Sequence, residues 1–535
     1  MTIHLRTLLV AALLVVSSPT HGIATRAVDL DAATVADLNA AFSAGTLTSE
    51  ALVQLCLARI QAYDRQGPSL HAIITLNPKA LETARALDAE RKTKGPRSPL
   101  HGIPVVLKDN YNTFDLPTTG GSVLLEGSIP PADAFLVKKL RDAGAIVLAK
   151  VNLSEFASGG AHSSLGGQSL NPHDLTRTPS GSSGGTGVAI AAGYAPLGMG
   201  TDTGGSIRGP STVNGIVGLK PTHGLLSRSG IIPLALTFDT GGPMARSVYD
   251  VAVALGVMTG VDSADAATKK SEGRFERDYT KDLKADALRG ARIGIARDFL
   301  GADSDVDWVV DASLDAMKKA GATIVDVRFP KWLLDSREEF YNAIRRPEFT
   351  VQIAEYLATL KPGYPKTLDE MIERSNQFAA TRADGAGPNP SRWTLFKREL
   401  ESGTMEDYKY TSVRDHGLPL VRAAVDGIFA AQRLDAIVYP TSSRRPALIA
   451  DVAGDFLPRV LGATATNIAN LTGYPDLIVP AGFTGDNLPV GLSFFGTAFG
   501  EGKLLALGYS FEQATHARRR PVHTPLRKGE TISVP

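Results

Sequence analysis

Short apolar runs alternate with helical patterns early in the chain, and this alternation limits the fold most strongly. Residues 72–76 and 103–107 are apolar and suited to strands, and residues 80–92 between them have the pattern of a charged surface helix. A helical pattern over 133–143 and an apolar run over 145–148 continue the alternation. Strands that alternate with helices predict an α/β fold around a largely buried sheet.

The segment from 159 to 209 breaks this pattern. It is rich in Gly, Ser, Thr and Pro and shows little periodicity before residues 188–192. An irregular stretch of this length inside a compact domain is usually functional. Residues 332–411 are more helical, and we expect them to cover the active site as a helical section.

Two serine–glycine clusters lie in that segment, at 181–185 and 202–206, and Lys108 follows the apolar run 103–107. Glycines beside a serine let backbone N–H groups approach a reacting carbonyl closely. A lysine at the end of a buried strand loses its hydration, which favours the neutral and basic form. The combination indicates a serine nucleophile that is activated by lysine.

Ordered motifs around these residues extend along most of the chain. They read GIPVVLKDN from Gly102, SGSSGG from Ser180, GTDTGGSIRGP from Gly200, GPMARSV from Gly242 and NLTGYPDLIVPAGF from Asn470. With these motifs the chain resembles the amidase signature family over residues 30–515. The resemblance implies a single amidase domain over 25–535, with a central mixed β-sheet that α-helices flank on both faces.

The resemblance also implies roles for individual residues. Ser206 matches the nucleophile, Ser182 matches the bridging serine that the family holds on a cis peptide bond, and Lys108 matches the general base. The separation of 24 residues between Ser182 and Ser206 agrees with the family spacing and selects Ser182 over Ser183. The implied oxyanion hole consists of the backbone N–H groups of Thr203, Gly204, Gly205 and Ser206.

Other polar residues of the segment are candidates for substrate binding or support. Asp202 and Arg208 have two open roles, since they either pair to brace the loop or touch the substrate. The remaining candidates for lining or supporting the pocket are Ser158, Ser180, Ser183 and Gln168.

Two other kinds of site share features with these clusters. Residues 181–185 fit G-x-S-x-G, the nucleophile elbow of α/β-hydrolase esterases, which would make Ser183 the nucleophile and require a downstream Asp and His. His223 and His523 are the candidates, but neither lies in a recognisable setting, and no strand pattern leads into the cluster. A phosphate-binding P-loop is excluded because no G-K-[ST] follows the glycines.

The substrate class also follows from the resemblance, because the chain looks closest to bacterial peptide amidases. That similarity implies a peptide carboxyl-terminal amide, or a small aryl or alkyl amide, which is hydrolysed to a carboxylic acid and ammonia or an amine. The alternative within the family is the glutaminase subunit of a tRNA-dependent amidotransferase, which works with partner subunits. A third alternative is a member that only binds amides, which the intact Lys108, Ser182 and Ser206 argue against.

The amino terminus has the pattern of a secretory signal peptide over residues 1–24. Arg6 precedes a short apolar run at 8–16, and small residues follow it. The run is too short for a comfortable membrane span, although an ordinary apolar helix or an uncleaved anchor would also fit. We therefore expect an exported protein, periplasmic or extracellular in a bacterium, without stable membrane association.

Charge and cysteine content limit the partners. The formal net charge of +1 gives no reason to expect a nucleic-acid partner or an anionic membrane surface. Cys56 is the only cysteine, so no internal disulfide can form, and no HExxH or paired-cysteine motif indicates a metal site. We expect no metal or organic cofactor, and a monomer or homodimer that acts on a small-molecule or peptide amide. The arginines at 518–520 are expected to form a solvated end.

Overall fold

The computed structural model describes residues 26–381, 389–452 and 466–535. Its strands are β1 (Arg26–Asp29), β2 (Ile73–Leu76), β3 (Pro104–Lys108), β4 (Ile146–Val151), β5 (His162–Ser163), β6 (Gly167–Gln168), β7 (Leu197–Asp202), β8 (Val217–Lys220), β9 (Thr240–Ala245), β10 (Arg292–Ala296), β11 (Thr323–Val327), β12 (Ala436–Pro440), β13 (Asp476–Phe483), β14 (Pro489–Phe495) and β15 (Thr531–Val534). Its helices are α1 (Val35–Ala44), α2 (Ser49–Ile60), α3 (Ala80–Lys94), α4 (Phe135–Asp142), α5 (Gly184–Ala191), α6 (Arg208–Val213), α7 (Val248–Met258), α8 (Ser304–Lys319), α9 (Lys331–Ala358), α10 (Leu368–Thr381), α11 (Pro390–Leu400), α12 (Tyr408–Ser412), α13 (Leu418–Gln432), α14 (Ile449–Val452), α15 (Thr466–Thr472) and α16 (Glu501–Thr515). The predicted signal peptide lies outside the described residues.

In the described part of the chain, eleven strands form one sheet in the order β11-β10-β12-β14-β13-β8-β9-β7-β3-β4-β2. Strand β3 pairs in parallel with β4 and β7, and β10 pairs in parallel with β11 and β12. Between these two blocks the pairs are antiparallel, as between β7 and β9 or β13 and β14. The sheet is therefore mixed and packed by helices, so the predicted α/β fold is confirmed.

The predicted early strands agree with the observed ones, and the central strand β7 was not predicted. The predictions at 72–76, 103–107 and 145–148 correspond to β2, β3 and β4 with shifted ends. The segment 159–209 is mostly irregular, as predicted, but it also contains α5, β7 and the start of α6. The apolar pattern misses β7, since Gly198 and Gly200 interrupt it and glycine disfavours strands. Gly198 allows close packing, because a Cβ there would lie 2.6 Å from Thr186 Cγ2.

Helices α9, α10 and α11 lie within the section 332–411 and share an apolar cluster with the loop that follows β4. Phe349 of α9 and Phe396 of α11 are stacked, with ring centroids 6.1 Å apart. Phe156 of the loop packs edge-on against Phe396, with centroids 5.6 Å apart. Residues 382–388 of this section lie outside the described ranges. The described helices thus lie against a loop next to the serine clusters.

The two ends of the described chain are held together. Strand β1 pairs antiparallel with β15. Arg518 donates to the two carboxylate oxygens of Asp31 at 2.9 and 3.0 Å, and Arg520 donates to Asp29 at 3.1 Å. The expectation of a solvated end at 518–520 is therefore wrong, because two of its arginines anchor the amino-terminal strand.

Candidate active site

Lys108 ends β3, which lies beside β7 inside the sheet. Its side chain is fully buried. Its Nζ donates hydrogen bonds to Ser182 Oγ and Thr201 Oγ1, both at 2.7 Å. The structure therefore brings Lys108 and Ser182 into contact and adds Thr201, which was not among the predicted site residues.

The environment of Lys108 favours its neutral form. Burial lowers its pKa to about 7, because the charged ammonium loses its hydration. The negative charges of Asp202 and Asp239 act in the opposite direction without reversing the shift. The described partners of Nζ are hydroxyl and carbonyl groups rather than carboxylates. A substantial fraction of Lys108 is therefore neutral near neutral pH, as a general base requires.

Ser182 is held by its backbone just before α5. The Gly181–Ser182 peptide bond is cis. The Ser182 carbonyl accepts a hydrogen bond from the Ser154 N–H at 3.0 Å. A Cβ on Gly181 would lie 2.3 Å from Ser154 Oγ, so this approach requires glycine. The contact with Ser154 fixes the position from which the Ser182 hydroxyl reaches Lys108.

Ser183 has a different environment from Ser182. Its Oγ donates to the Thr201 carbonyl at 3.1 Å and accepts from the Thr201 N–H at 3.2 Å, and its own N–H donates to the Ser206 carbonyl. His223 contacts the Leu236 carbonyl at 2.9 Å, and burial lowers its pKa to about 3. Among the described residues no histidine is hydrogen-bonded to Ser183. The geometry contradicts the nucleophile-elbow interpretation, because the Ser183 hydroxyl is used to fix β7.

Ser206 lies half-buried in the loop between β7 and α6. Within the described residues, the N–H groups of Thr203, Gly204 and Ser206 donate to no protein acceptor, which leaves them available for an oxyanion. The Gly205 N–H donates to Asp202 Oδ1 at 2.9 Å. Of the four predicted donors, the Gly205 N–H is therefore already paired, and those of Thr203, Gly204 and Ser206 are free within the described residues.

Asp202 and Arg208 form a fully buried ion pair beneath this loop. Arg208 donates to the two Asp202 oxygens at 3.1 Å each and to Asp476 Oδ2 at 3.0 Å. Burial would raise the pKa of Asp202, but the charge and hydrogen bonds of Arg208 hold it well below its ordinary range. Of the two open roles, the structure supports bracing of the loop, because neither side chain is accessible to a substrate.

The three remaining candidates lie near the serine clusters but outside the cavity described below. Gln168 Nε2 donates to the carbonyls of Ala161 at 3.0 Å and Ser169 at 2.8 Å, so this side chain fixes its own turn. Ser158 and Ser180 are half-buried. None of the three is among the described residues that line this small cavity, and their role in substrate binding stays a prediction.

A small cavity lies beside Thr201 and Thr203. Its polar lining also includes Asn110, Arg228, Asp239 and Thr240. Its apolar walls come from Ala157, Ile231, Ile232, Leu234 and Leu236. Asn110 Nδ2 donates at 3.1 Å to Thr201 Oγ1, the same oxygen that accepts from Lys108. Sequence reasoning missed Asn110 and Asp239. The only local signal for Asn110 is its position two residues after Lys108.

Asp239 ties the loop between β7 and α6 to the wall of the cavity. We call this loop the nucleophile loop after Ser206, its predicted nucleophile. Its Oδ1 accepts from Thr203 Oγ1 at 2.5 Å, and its Oδ2 accepts from the N–H groups of Leu234 and Ala235 at 2.8 and 3.0 Å. Burial raises its pKa to about 6. Because both oxygens are occupied, Asp239 holds Thr203 in place.

Helix α9 reaches the nucleophile loop through Tyr341. The Tyr341 ring stacks on Phe238, with centroids 5.4 Å apart and 21° between the ring planes. A Cβ built on Gly204 would lie 2.7 Å from Tyr341 Oη, so the absent side chain of Gly204 leaves room for this hydroxyl. Tyr341 therefore packs over the loop that carries Ser206.

The described residues contain neither a metal-binding cluster nor a membrane-spanning helix. No group of three or more His, Cys, Asp or Glu side chains in these ranges could hold a metal ion. No helix in these ranges is long and apolar enough to cross a membrane.

Known proteins resemble this chain over most of its length. Residues 51–505 match the family model described as Amidase. One subunit of the glutamyl-tRNA(Gln) amidotransferase of Chloroflexus aggregans is 36% identical over 494 residues, which are 91% of this chain and 97% of the relative. The corresponding protein of Myxococcus xanthus is 37% identical over 497 residues, 91% of this chain and 98% of the relative. The X-ray structure of native peptide amidase from Stenotrophomonas maltophilia is 39% identical with a TM-score of 0.83, covering 92% of this chain and 99% of that chain.

These comparisons overturn the prediction of export. The curated relatives, which match 91% of this chain, are named as subunits of an amidotransferase for glutamyl-tRNA(Gln). A charged tRNA is made and used inside the cell, which is not the periplasmic or extracellular location that the amino terminus suggested. A short apolar run after one arginine is a weak pattern, because an ordinary apolar helix has the same composition.

The motifs, the mixed sheet and the comparisons agree on the family. The match covers residues 51–505, and relatives with identities of 36% to 39% cover most of the chain. The chain therefore belongs to the amidase signature family and is an amidase, an enzyme that hydrolyses carboxylic amides.

Proposed function

We propose that this chain hydrolyses primary carboxamides to carboxylic acid and ammonia through an acyl-enzyme on Ser206. Ser182 relays the proton and Lys108 is the base. The observation that carries the proposal is the 2.7 Å contact between Lys108 Nζ and Ser182 Oγ. It joins a buried lysine with a pKa of about 7 to a hydroxyl beside the nucleophile loop.

Acylation starts with neutral Lys108. Its lone pair takes the proton of Ser182, which in turn takes the proton of Ser206, and the Ser206 oxygen attacks the amide carbonyl carbon. The carbonyl oxygen becomes negatively charged and accepts from the N–H groups of Thr203, Gly204 and Ser206. Removing one donor of this kind typically costs about 2.7–4 kcal/mol in the barrier. Asp202 and Arg208 keep the loop in place during the step.

The acyl-enzyme then forms and decays along the same proton path. Lys108 returns its proton through Ser182 to the amide nitrogen, the C–N bond breaks, and ammonia leaves. Water attacks the ester carbonyl while its proton passes to Lys108 by the reverse route. Ser206 then leaves as the free hydroxyl, and the carboxylic acid is released.

A first candidate substrate is the carboxyl-terminal amide of a peptide, or a small aryl or alkyl amide. The support is the 39% identity and TM-score of 0.83 with peptide amidase from Stenotrophomonas maltophilia. In this case the chain acts alone, as a monomer or homodimer. Helix α9, whose Tyr341 packs over the nucleophile loop, would then form part of a cover over the bound amide.

A second candidate is the glutaminase subunit of a tRNA-dependent amidotransferase. The curated relatives favour it more than the first, because those at 36% and 37% identity are named as subunits of such an enzyme. Glutamine also carries a primary carboxamide, so the chemistry on Ser206 is the same. In this case the chain requires partner subunits, and the ammonia passes to the charged tRNA.

The test is ammonia release by the purified full chain from peptide amides, an aryl amide, an aliphatic amide and glutamine, with Ser206→Ala as the matched control. Turnover of a peptide amide by the chain alone supports the first candidate. Turnover of glutamine that needs co-purifying subunits supports the second. Ammonia release that persists in Ser206→Ala, or its absence in every arm, would contradict the proposal.

A further inference from the structure

Asn110, one of the residues that line the small cavity, has a buried acceptor without a donor. Asn110 is almost fully buried and uses its Nδ2 to donate to Thr201 Oγ1 at 3.1 Å. Its Oδ1 is buried and has no hydrogen-bond partner among the described residues. Buried side-chain oxygens in proteins are normally paired, so an unpaired one beside a cavity indicates a missing donor.

The size and the lining of the cavity limit which molecule can supply that donor. It has room for about one water-sized molecule. The carboxylate of Asp239, which also lines the cavity, already accepts from Thr203 and from two backbone N–H groups. Ala157 and Ile232 contribute apolar walls, and Arg228, which is paired with Asp265, adds a positive charge to the lining. A small neutral molecule with N–H or O–H groups fits this environment, whereas an ammonium ion or a larger amine does not.

The cavity also lies next to the proton path. Thr201 Oγ1 contacts both Asn110 and Lys108, and Thr203, which lines the cavity, contributes its N–H to the oxyanion hole. A molecule in the cavity therefore lies beside Thr201, which binds Lys108, and beside Thr203 of the proposed oxyanion hole. The group that leaves in acylation and the water that attacks in deacylation occupy equivalent positions, because the second step is the reverse of the first with water in place of the amine.

We propose that this cavity receives the leaving ammonia and then supplies the attacking water, and that Asn110 Oδ1 accepts a hydrogen bond from each. The inference rests on the proposed function. When the C–N bond breaks, the nitrogen gains its third proton from Lys108 by way of Ser182 and leaves as neutral ammonia. Asn110 Oδ1 accepts from one of the N–H groups already on the substrate nitrogen. The same oxygen later accepts from the O–H of water that does not transfer its proton.

The test compares a primary amide with the methyl ester of the same acyl group, because the ester leaving group has no N–H before bond cleavage. Wild type, Asn110→Ala, Asn110→Asp and Thr201→Val are assayed for kcat/KM on both substrates. In Asn110→Ala the amide-to-ester ratio is expected to fall about 10- to 100-fold, since the amide loses its acceptor. Asn110→Asp keeps an acceptor oxygen and should keep the ratio within a factor of a few. Thr201→Val is the matched control, and it should lower both rates in parallel because Thr201 contacts Lys108.

Parallel loss of amide and ester turnover in Asn110→Ala would overturn the inference and make Asn110 a positioning residue for Thr201 only. If Asn110→Ala does not fold by circular dichroism, Ile232→Ala takes its place. That variant opens the apolar wall and should raise the N-methylamide rate relative to the primary amide by about tenfold, and an unchanged ratio would overturn the inference. Ammonia release by the wild type is measured before any variant. A wild type that releases no ammonia contradicts the proposed function itself.

Discussion

Lys108 and Lys150 lie on neighbouring parallel strands, β3 and β4, and both are fully buried, yet their partners differ. Lys150 Nζ lies 3.0 Å from Asp109 Oδ1 and also donates to Thr118 Oγ1 and the Pro117 carbonyl. A carboxylate partner offsets the cost of burying a charge. Burial lowers the pKa of Lys150, and the charge and hydrogen bond of Asp109 act in the opposite direction. Lys150 is therefore suited to hold the loop that follows β3.

Lys108 has no such carboxylate among its described hydrogen-bond partners, which include the hydroxyls of Ser182 and Thr201. A hydroxyl can give up a proton as well as accept one, so it can take part in proton transfer. Lys220 shows that a lowered pKa alone does not make a lysine a catalytic base. Burial lowers its pKa to about 7 as well, but its Nζ donates only to the carbonyls of Pro221 and Tyr474 among the described residues. A low pKa thus makes a base only where a proton donor lies beside it.

The largest expected effect comes from Lys108→Met. Removing the base should lower kcat for a peptide amide by about 100- to 10,000-fold, because general-base catalysis contributes on that scale. Urea unfolding should show a native-like transition, since no buried carboxylate loses a partner among the described contacts. Ammonia release measures the rate, and a variant that keeps more than a tenth of wild-type turnover would assign the base to another residue.

The second-largest expected effect distinguishes Ser182 from its neighbour Ser183. Ser182→Ala should lower turnover by about 100-fold, because the proton relay between Ser206 and Lys108 is lost. Ser183→Ala removes a hydroxyl that holds the Thr201 backbone, so it should destabilise the fold by about 1–3 kcal/mol with a smaller loss of turnover. Both variants are measured by ammonia release and urea unfolding. The reverse order of activity losses would restore the nucleophile-elbow interpretation.

Lys150→Met is expected to change stability rather than chemistry. It leaves the buried Asp109 without its cation, which typically costs about 3–5 kcal/mol in the free energy of unfolding. Turnover per folded molecule should stay within a factor of a few of wild type. Urea unfolding gives the stability, and active-site titration corrects the rate. A folded, stable Lys150→Met enzyme with strongly reduced turnover would show that the two lysines do not divide the roles in this way.

The sequence predicts which residues react, but it does not predict the groups around them. Lys108, Ser182 and Ser206 lie in motifs that can be read locally, and β3 has an apolar pattern that predicts it. Thr201 escaped notice because β7 was not predicted, so the pairing of β7 with β3 could not be anticipated. Local periodicity carries no information on which strands become neighbours.

The same limit applies to Asp239 and Tyr341, which reach the nucleophile loop from distant parts of the chain. Asp239 binds Thr203 across 36 residues, and Tyr341 packs on Gly204 from α9. The oxyanion hole shows a further limit. The family resemblance implies four donors, but only the three-dimensional contact of Gly205 with Asp202 shows that one N–H is already used. The prediction of export from the amino terminus was wrong for a different reason, because a short apolar run does not specify where a protein is located.

The central claim is that neutral Lys108 takes the proton from Ser182, and the pH dependence of kcat/KM tests it most directly. The pKa of Lys108 is lowered to about 7, so the active neutral form is lost as the pH falls below that value. The value of kcat/KM for a peptide amide should therefore rise about tenfold per pH unit below pH 7 and level off above it. Lys220→Met is the matched control and should keep this rise, although the pKa of Lys220 is also about 7. A wild-type profile that is flat between pH 5 and 9, or a rise that disappears in Lys220→Met, would contradict the account.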